Sequence, residues 1–128
     1  MINKKVKPMN KKTLVIGASL KPERYSNIAM KRLTSYNHDV VAFGLREGQV
    51  AGIDIDTSLM PYKDIDTITL YLNPERQKAY YEYLIGLQPK RIIFNPGTEN
   101  SEFQNLLKQQ GIYFEEACTL VLLSTNQY

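Results

Sequence analysis

One cysteine, one histidine and no tryptophan occur among the 128 residues. Cys118 alone cannot close an internal disulfide, and with only His38 to join it no Cys/His zinc cage can be assembled, so a disulfide scaffold and structural zinc are both excluded. No apolar run approaches the roughly 20 residues that span a bilayer, and the N-terminus lacks the apolar stretch of a secretory signal. A cytoplasmic protein with no membrane partner is the expectation. Acid is missing from the first twelve positions, which hold Lys4, Lys5, Lys7, Lys11 and Lys12. The net charge of +3 therefore belongs to that segment, since from Thr13 onward 11 basic residues face 13 acidic ones. A basic overhang on a slightly acidic body reads as a solvated, flexible tail over residues 1–12, which disfavours nucleic acid as the partner.

What is present is the composition of one ordinary globular domain, 43% hydrophobic and 23% charged, expected to occupy residues 13–128. Short apolar runs alternate with helix-period segments, the pattern of a parallel sheet covered on both faces. Strands are predicted at residues 13–16 (TLVI), 40–43 (VVAF), 67–72 (TITLYL), 91–94 (RIIF) and 112–114 (IYF). The first helix is expected to be capped by Ser26 and to bury Ala29, Leu33 and Tyr36 at i, i+4 and i+7. Asn73 followed by Pro74 starts a second helix, burying Tyr80, Tyr83, Leu84 and Leu87. Ser101 with Gln104 suggests a capping box for a third, buried through Phe103, Leu106 and Leu107 and stopped by Gly111. Residues 46–62 hold an alternation around Ile53 and Ile55 that fits either a short hairpin or a helical turn. The apolar stretch 119–123 needs cover, from the sheet edge, a second copy of the chain or a protein partner. With right-handed crossovers the elements predict an α/β, Rossmann-like three-layer fold, with a five-stranded, mainly parallel sheet in the order 3-2-1-4-5.

Ligands of such sheets bind beyond the C-terminal strand ends. The first end reads Gly17-Ala18-Ser19-Leu20-Lys21-Pro22-Glu23-Arg24-Tyr25-Ser26, which fails the dinucleotide fingerprint because Ser19 and Pro22 stand at its second and third glycines. It keeps a glycine for a sharp turn, a hydroxyl and two cations before a helix N-terminus, which suits a phosphate; a loop of solvated charges is the plainer alternative. The second end, Gly44-Leu45-Arg46, carries an arginine where a bare ribose diol would call for an acid, and so favours a phosphorylated ribose as in NADP or coenzyme A; Glu47, if the loop folds back, keeps NAD open, and a plain surface charge is the competing account of Arg46. Arg76 lies in the first turn of a helix, where the macrodipole opposes a cation, and an anionic partner or a salt bridge to Glu75 or Glu82 would explain it. The fourth end offers Asn95 and a Pro96-Gly97 turn. The candidate binding residues are Gly17, Ala18, Ser19, Lys21, Arg24 and Tyr25, then Gly44 and Arg46, then Leu72, Asn73, Pro74 and Gln77, then Asn95 and Gly97, with no catalytic and no metal-ligating residue among them.

The segments GASLKPERYS, TLYLNPERQ, IIFNPGTEN and EACTLVLLS, in this order from residue 17 to residue 124, resemble the CoA-binding domain family. Its members are small Rossmann-like proteins similar to the N-terminal domain of the succinyl-CoA synthetase alpha subunit. The resemblance implies coenzyme A or an acyl-CoA as ligand, with the pyrophosphate held by Ser19, Lys21 and Arg24 and the adenosine part by Arg46, Leu72, Asn73, Pro74 and Gln77. The chain departs from many relatives at the second strand, where Ala42-Phe43-Gly44-Leu45-Arg46 replaces a Pro-Val-Asn-Pro type of ending.

Catalysis is disfavoured. His38 precedes the second strand and so falls at the end of the sheet opposite the ligands, and Cys118, between two glutamates and an apolar run, reads as a buried structural thiol. The synthetase relatives use a phosphorylated histidine from a second domain, for which this chain has no counterpart. The expectation is a nucleotide-binding carrier, sensor or regulatory partner. An NADP-dependent oxidoreductase and a protein-interaction module built on the C-terminal apolar stretch are the alternatives.

Overall fold

The computed structural model describes residues 10–128. Residues 1–9, most of the expected tail, lie outside that range. Of the remaining tail positions, Asn10 donates from Nδ2 to Asp39 Oδ2 at 2.9 Å, the Lys11 amide donates to His38 Nδ1 at 3.0 Å, and Lys12 Nζ donates to the Lys63 carbonyl at 2.8 Å. These residues are tied to the domain that follows.

Seven strands form one sheet in the order β3-β4-β2-β1-β5-β6-β7: β1 Thr13–Ala18, β2 Val40–Gly44, β3 Gly48–Val50, β4 Ile53–Asp56, β5 Thr67–Leu70, β6 Arg91–Phe94 and β7 Tyr113–Glu116. All neighbours run parallel except β3, which is antiparallel to β4. The fold is an α/β, Rossmann-like one with a mixed sheet. The expected five strands and their order need correction. The predicted third strand is β5, which pairs directly with β1 (Leu14 opposite Ile68), so the five take the order 2-1-3-4-5. The place beyond β2 belongs to β4, inside the segment that could not be assigned. The sequence signal there is weak for two physical reasons. Ile55 is the one buried residue of β4, and the hairpin turns through Ala51 and Gly52, both at positive φ (52° and 80°), without the Asn-Gly pair that usually marks such a turn.

Successive β1 side chains feed two core layers. Leu14 and Ile16 join Phe43, Ile68, Leu70, Ile92 and Phe94 under α3 (Tyr81–Gly86) and α4 (Ser101–Gln109), whereas Val15 and Ala18 join Ala42 and Ile55 under α1 (Tyr25–Ser35) and α5 (Thr119–Ser124). The apolar stretch 119–123 forms α5, in which Thr119 and Leu123 are buried, Leu123 beside the buried face of α1, while Val121 is 54% exposed.

Helix boundaries differ from expectation in three places. Arg24, not Ser26, precedes α1, because the Arg24 amide closes a turn onto the Lys21 carbonyl (3.1 Å) and the helix begins two residues sooner; Ala29 and Leu33 are buried, and Tyr36 ends the helix half-exposed. Asn100, not Ser101, caps α4 by accepting from the Phe103 amide; Phe103 and Leu107 are buried while Leu106 is half-buried. The predicted second helix is split into α2 (Pro74–Gln77), a 3-10 turn (Lys78–Tyr80) and α3, with Leu84 buried and Tyr80, Tyr83 and Leu87 half-buried. Its start is as anticipated, with Asn73 Oδ1 accepting from the Arg76 amide at 2.9 Å and Pro74 at the first helical position.

Candidate functional site

At the C-terminal edge two glycines let three strand ends converge. Gly17 leaves β1 at φ +93°, and a Cβ there would fall 2.8 Å from the Tyr71 carbonyl oxygen; a Cβ on Gly44 would fall 2.3 Å from the Ala18 carbonyl oxygen. Neither contact admits a side chain. Beyond β1 the chain folds over the start of α1. Ser19 Oγ accepts from the Lys21 amide (3.1 Å), and the Ser19 carbonyl accepts from Asn27 Nδ2 (2.9 Å), a side chain 2% exposed. The loop's shape is therefore set locally and anchored on a buried amide of the helix it introduces.

Against this loop lies a cleft of about 720 Å3, lined from the ends of β1, β2, β5 and β6. Of the candidate residues, Gly17, Ala18, Ser19, Lys21, Arg24, Tyr25, Gly44, Arg46, Leu72, Asn73 and Gly97 line it. Pro74, Gln77 and Asn95 do not; they lie behind it. Gln77 is fully buried, donating from Nε2 to the carbonyls of Leu72 and Thr98 (2.8 Å each) and accepting at Oε1 from Asn100 Nδ2 (2.9 Å). Asn95 donates from Nδ2 to Thr69 Oγ1 (2.7 Å) and the Leu70 carbonyl (2.9 Å), and accepts from the Thr119 amide (2.9 Å). Both brace the loops that form the wall. Pro74 occupies the first position of α2.

The lining also includes Leu20, Ser26, Phe43, Leu45, Tyr71, Ala79, Tyr80, Pro96 and Thr98, outside the candidate set, together with Arg76. Apart from Ala18 and Leu72, already among the candidates, the apolar lining carries no charge or hydroxyl signal in the sequence. Leu20, a lone apolar residue in a polar loop, was the available clue. Electrostatically the cleft is one-sided: among the described residues Lys21, Arg24, Arg46 and Arg76 line it and no carboxylate does. Among the described residues none of the four cations joins an ion pair, so the salt bridge considered for Arg76 is not formed. Burial pushes the Tyr71 hydroxyl up to about 12, keeping it neutral at ordinary pH. A concave site of this volume, part apolar and part cationic, suits an anionic small molecule with an apolar portion.

His38 is at the opposite edge, its ring 4.9 Å from that of Tyr128. Cys118 precedes α5 and is half-buried rather than buried, outside the cleft lining.

A family model described as CoA binding domain matches residues 11–124. A solved structure described as an uncharacterized protein is 42% identical with a TM-score of 0.91, the alignment covering 94% of this chain and 99% of the other. A hypothetical protein from Pyrococcus horikoshii OT3 is 28% identical with a TM-score of 0.81, covering 91% and 83%. A protein from Thermus thermophilus at 20% identity and a TM-score of 0.81, covering 93% and 91%, shares the fold. No curated protein matches this chain.

Proposed function

Since the chain belongs to the CoA-binding domain family, we propose that the cleft binds coenzyme A or an acyl-CoA and that the protein acts without chemistry of its own, as a cytoplasmic carrier, sensor or regulatory partner. The observation that carries this reading is the cleft's charge: four cations and no carboxylate around a volume fit for a nucleotide cofactor. The pyrophosphate would sit on the loop from Ser19 to Arg24, where Lys21, Arg24 and the first amides of α1 offer donors to an anion. Arg46, at the end of β2, would take the phosphate on the ribose, and Phe43, Leu72 and Tyr80 would supply apolar surface for the adenine. The bound cofactor contributes a thiol that carries acyl groups. The lining supplies cations and hydroxyls but neither a carboxylate nor an imidazole to act as base, which favours holding the cofactor over transforming it.

The test is thermal unfolding with CoA, dephospho-CoA, adenosine and NADPH. CoA at about a hundred times its Kd should raise the midpoint by on the order of 10 °C, dephospho-CoA less, and adenosine hardly at all. An NADPH shift equal to that of CoA would favour an NADP-type oxidoreductase, for which Arg46 is the supporting residue. No shift with CoA would overturn the proposal.

A further inference from the structure

The hydrogen bonds that shape residues 19–24 come from partners no more than eight positions away. A link to a distant part of the sheet exists in Leu20. A Cβ built on Gly48, the first residue of β3, would fall 2.4 Å from Leu20 Cδ2, 2.8 Å from Cδ1 and 3.1 Å from Cγ. The Leu20 side chain therefore rests on the bare backbone of Gly48. No positive φ demands a glycine there, and a glycine within a strand weakens it, so the close approach of Leu20 is the physical use of the residue. Leu20 is 39% exposed and itself lines the cleft, between Ser19 and Lys21.

We infer that Leu20 is a positioning residue and Gly48 its seat: the β3–β4 hairpin latches the anion-binding loop into the shape that receives the phosphates. The inference rests on the proposed binding of CoA. It assigns a role to the hairpin, which forms the edge of the sheet and supplies no residue to the cleft lining. A loop held in advance loses less conformational freedom when a ligand arrives, which improves affinity without a new contact to the ligand.

Leu20→Ala removes the latch and Gly48→Ala its seat, while the added methyl in an exposed strand leaves the sheet intact or slightly firmer. In the ligand-free protein, amide hydrogen exchange at Leu20, Lys21, Glu23 and Arg24 should accelerate about fivefold or more in each variant, with exchange in β1 unchanged. CoA affinity measured by calorimetry should fall roughly three- to tenfold in each, and the double variant should be no weaker than either single one, because both break the same contact. Unchanged loop exchange would overturn the latch. Faster exchange with unchanged CoA affinity would overturn the positioning role. Failure of the unsubstituted protein to bind CoA would overturn the reading of the cleft instead, and the latch would then stand or fall on the exchange data.

Discussion

The two edges of the sheet use similar residues in opposite ways. At the N-terminal edge the buried Arg91 and the half-buried Lys11 both have partners. Arg91, 8% exposed, donates from Nε to Thr67 Oγ1 (3.1 Å), pairs through Nη1 with Glu115 (3.3 Å) and lies 4.4 Å over the Tyr128 ring. Lys11 Nζ donates to the Tyr128 carbonyl at 2.6 Å, and Thr13 Oγ1 and Tyr128 Oη share a hydrogen bond of 2.6 Å. At the C-terminal edge Lys21, Arg24, Arg46 and Arg76 surround a cleft with no such neighbours among the described residues. A satisfied cation stabilises the fold, whereas one held without a partner repels its neighbours until an anion arrives. The difference separates the edge that holds the chain together from the edge proposed to bind.

The largest effect expected from this contrast is at Arg91. Arg91→Ala should cost about 2–4 kcal/mol of stability by losing the Thr67 bond, the Tyr128 stacking and the partly exposed Glu115 pair. Chemical denaturation should show this, with CoA affinity of the folded protein unchanged. Arg91→Met should recover part of the loss, because Nη2 is buried without a partner and its desolvation is relieved. A large drop in CoA affinity with little loss of stability would break the division between the edges.

Gln77 sharpens the contrast, since its buried side chain behind the cleft is hydrogen-bonded at both Nε2 and Oε1. Gln77→Ala removes three hydrogen bonds and strands the Leu72 and Thr98 carbonyls, an expected cost of about 2–3 kcal/mol. Because those carbonyls belong to residues that line the cleft, CoA affinity should fall as well. Loss of stability with unchanged affinity would make Gln77 a brace for the fold alone. At Arg24 and Arg46 the pattern should invert: substitution by alanine should weaken CoA binding by roughly 1–3 kcal/mol each and leave the midpoint of the ligand-free protein unchanged or slightly raised. Calorimetry and thermal unfolding separate the two quantities. Unchanged affinity in both variants would refute the assignment of these cations to the phosphates.

The sheet's centre was legible because β1, β5 and β6 are apolar runs buried on both faces, for which residue type alone is a sufficient signal. The hairpin was legible only as one of two readings of residues 46–62, since β3 and β4 bury little beyond Val50 and Ile55, and β4 gains its place by pairing with β2 and β3 by pairing with β4. The strand order differs from the expected one for the same reason: without a strong signal in β4, the next apolar run, β5, is the natural candidate for the place beyond β2. In the candidate site, the cations after β1 and β2 are visible in the sequence as charge beside glycine at a strand end, and the structure places Lys21, Arg24 and Arg46 on the cleft lining. Gln77 and Asn95 read in sequence as polar ligand contacts, whereas both are buried behind the cleft. Their direction depends on the split of the helix after Asn73 and on α5, neither of which has a local signature. Leu20 meets Gly48 across 28 positions, a contact that only the folded sheet creates.

The smallest expected effect tests whether the N-terminal edge works through neutral groups as well as paired ones. His38 Nδ1 accepts from the Lys11 amide, so the ring must be unprotonated at that nitrogen. Burial, then the charges of Lys11 and Arg91, hold its pKa below the ordinary 6.5, with Asp66 and Asp39 acting weakly the other way. A group whose folded pKa is depressed binds protons more readily when unfolded. Its stabilising contribution is thus complete above about pH 6.5 and is lost as the pH falls through the folded value. Denaturant unfolding between pH 8 and pH 5 should show that loss, and His38→Asn, which keeps an acceptor for the Lys11 amide without a titrating group, should flatten this part of the profile. CoA affinity should be the same in both proteins at pH 8, since His38 does not line the cleft. A profile that stays as steep after the substitution would place the titration in other groups and remove His38 from the account of this edge.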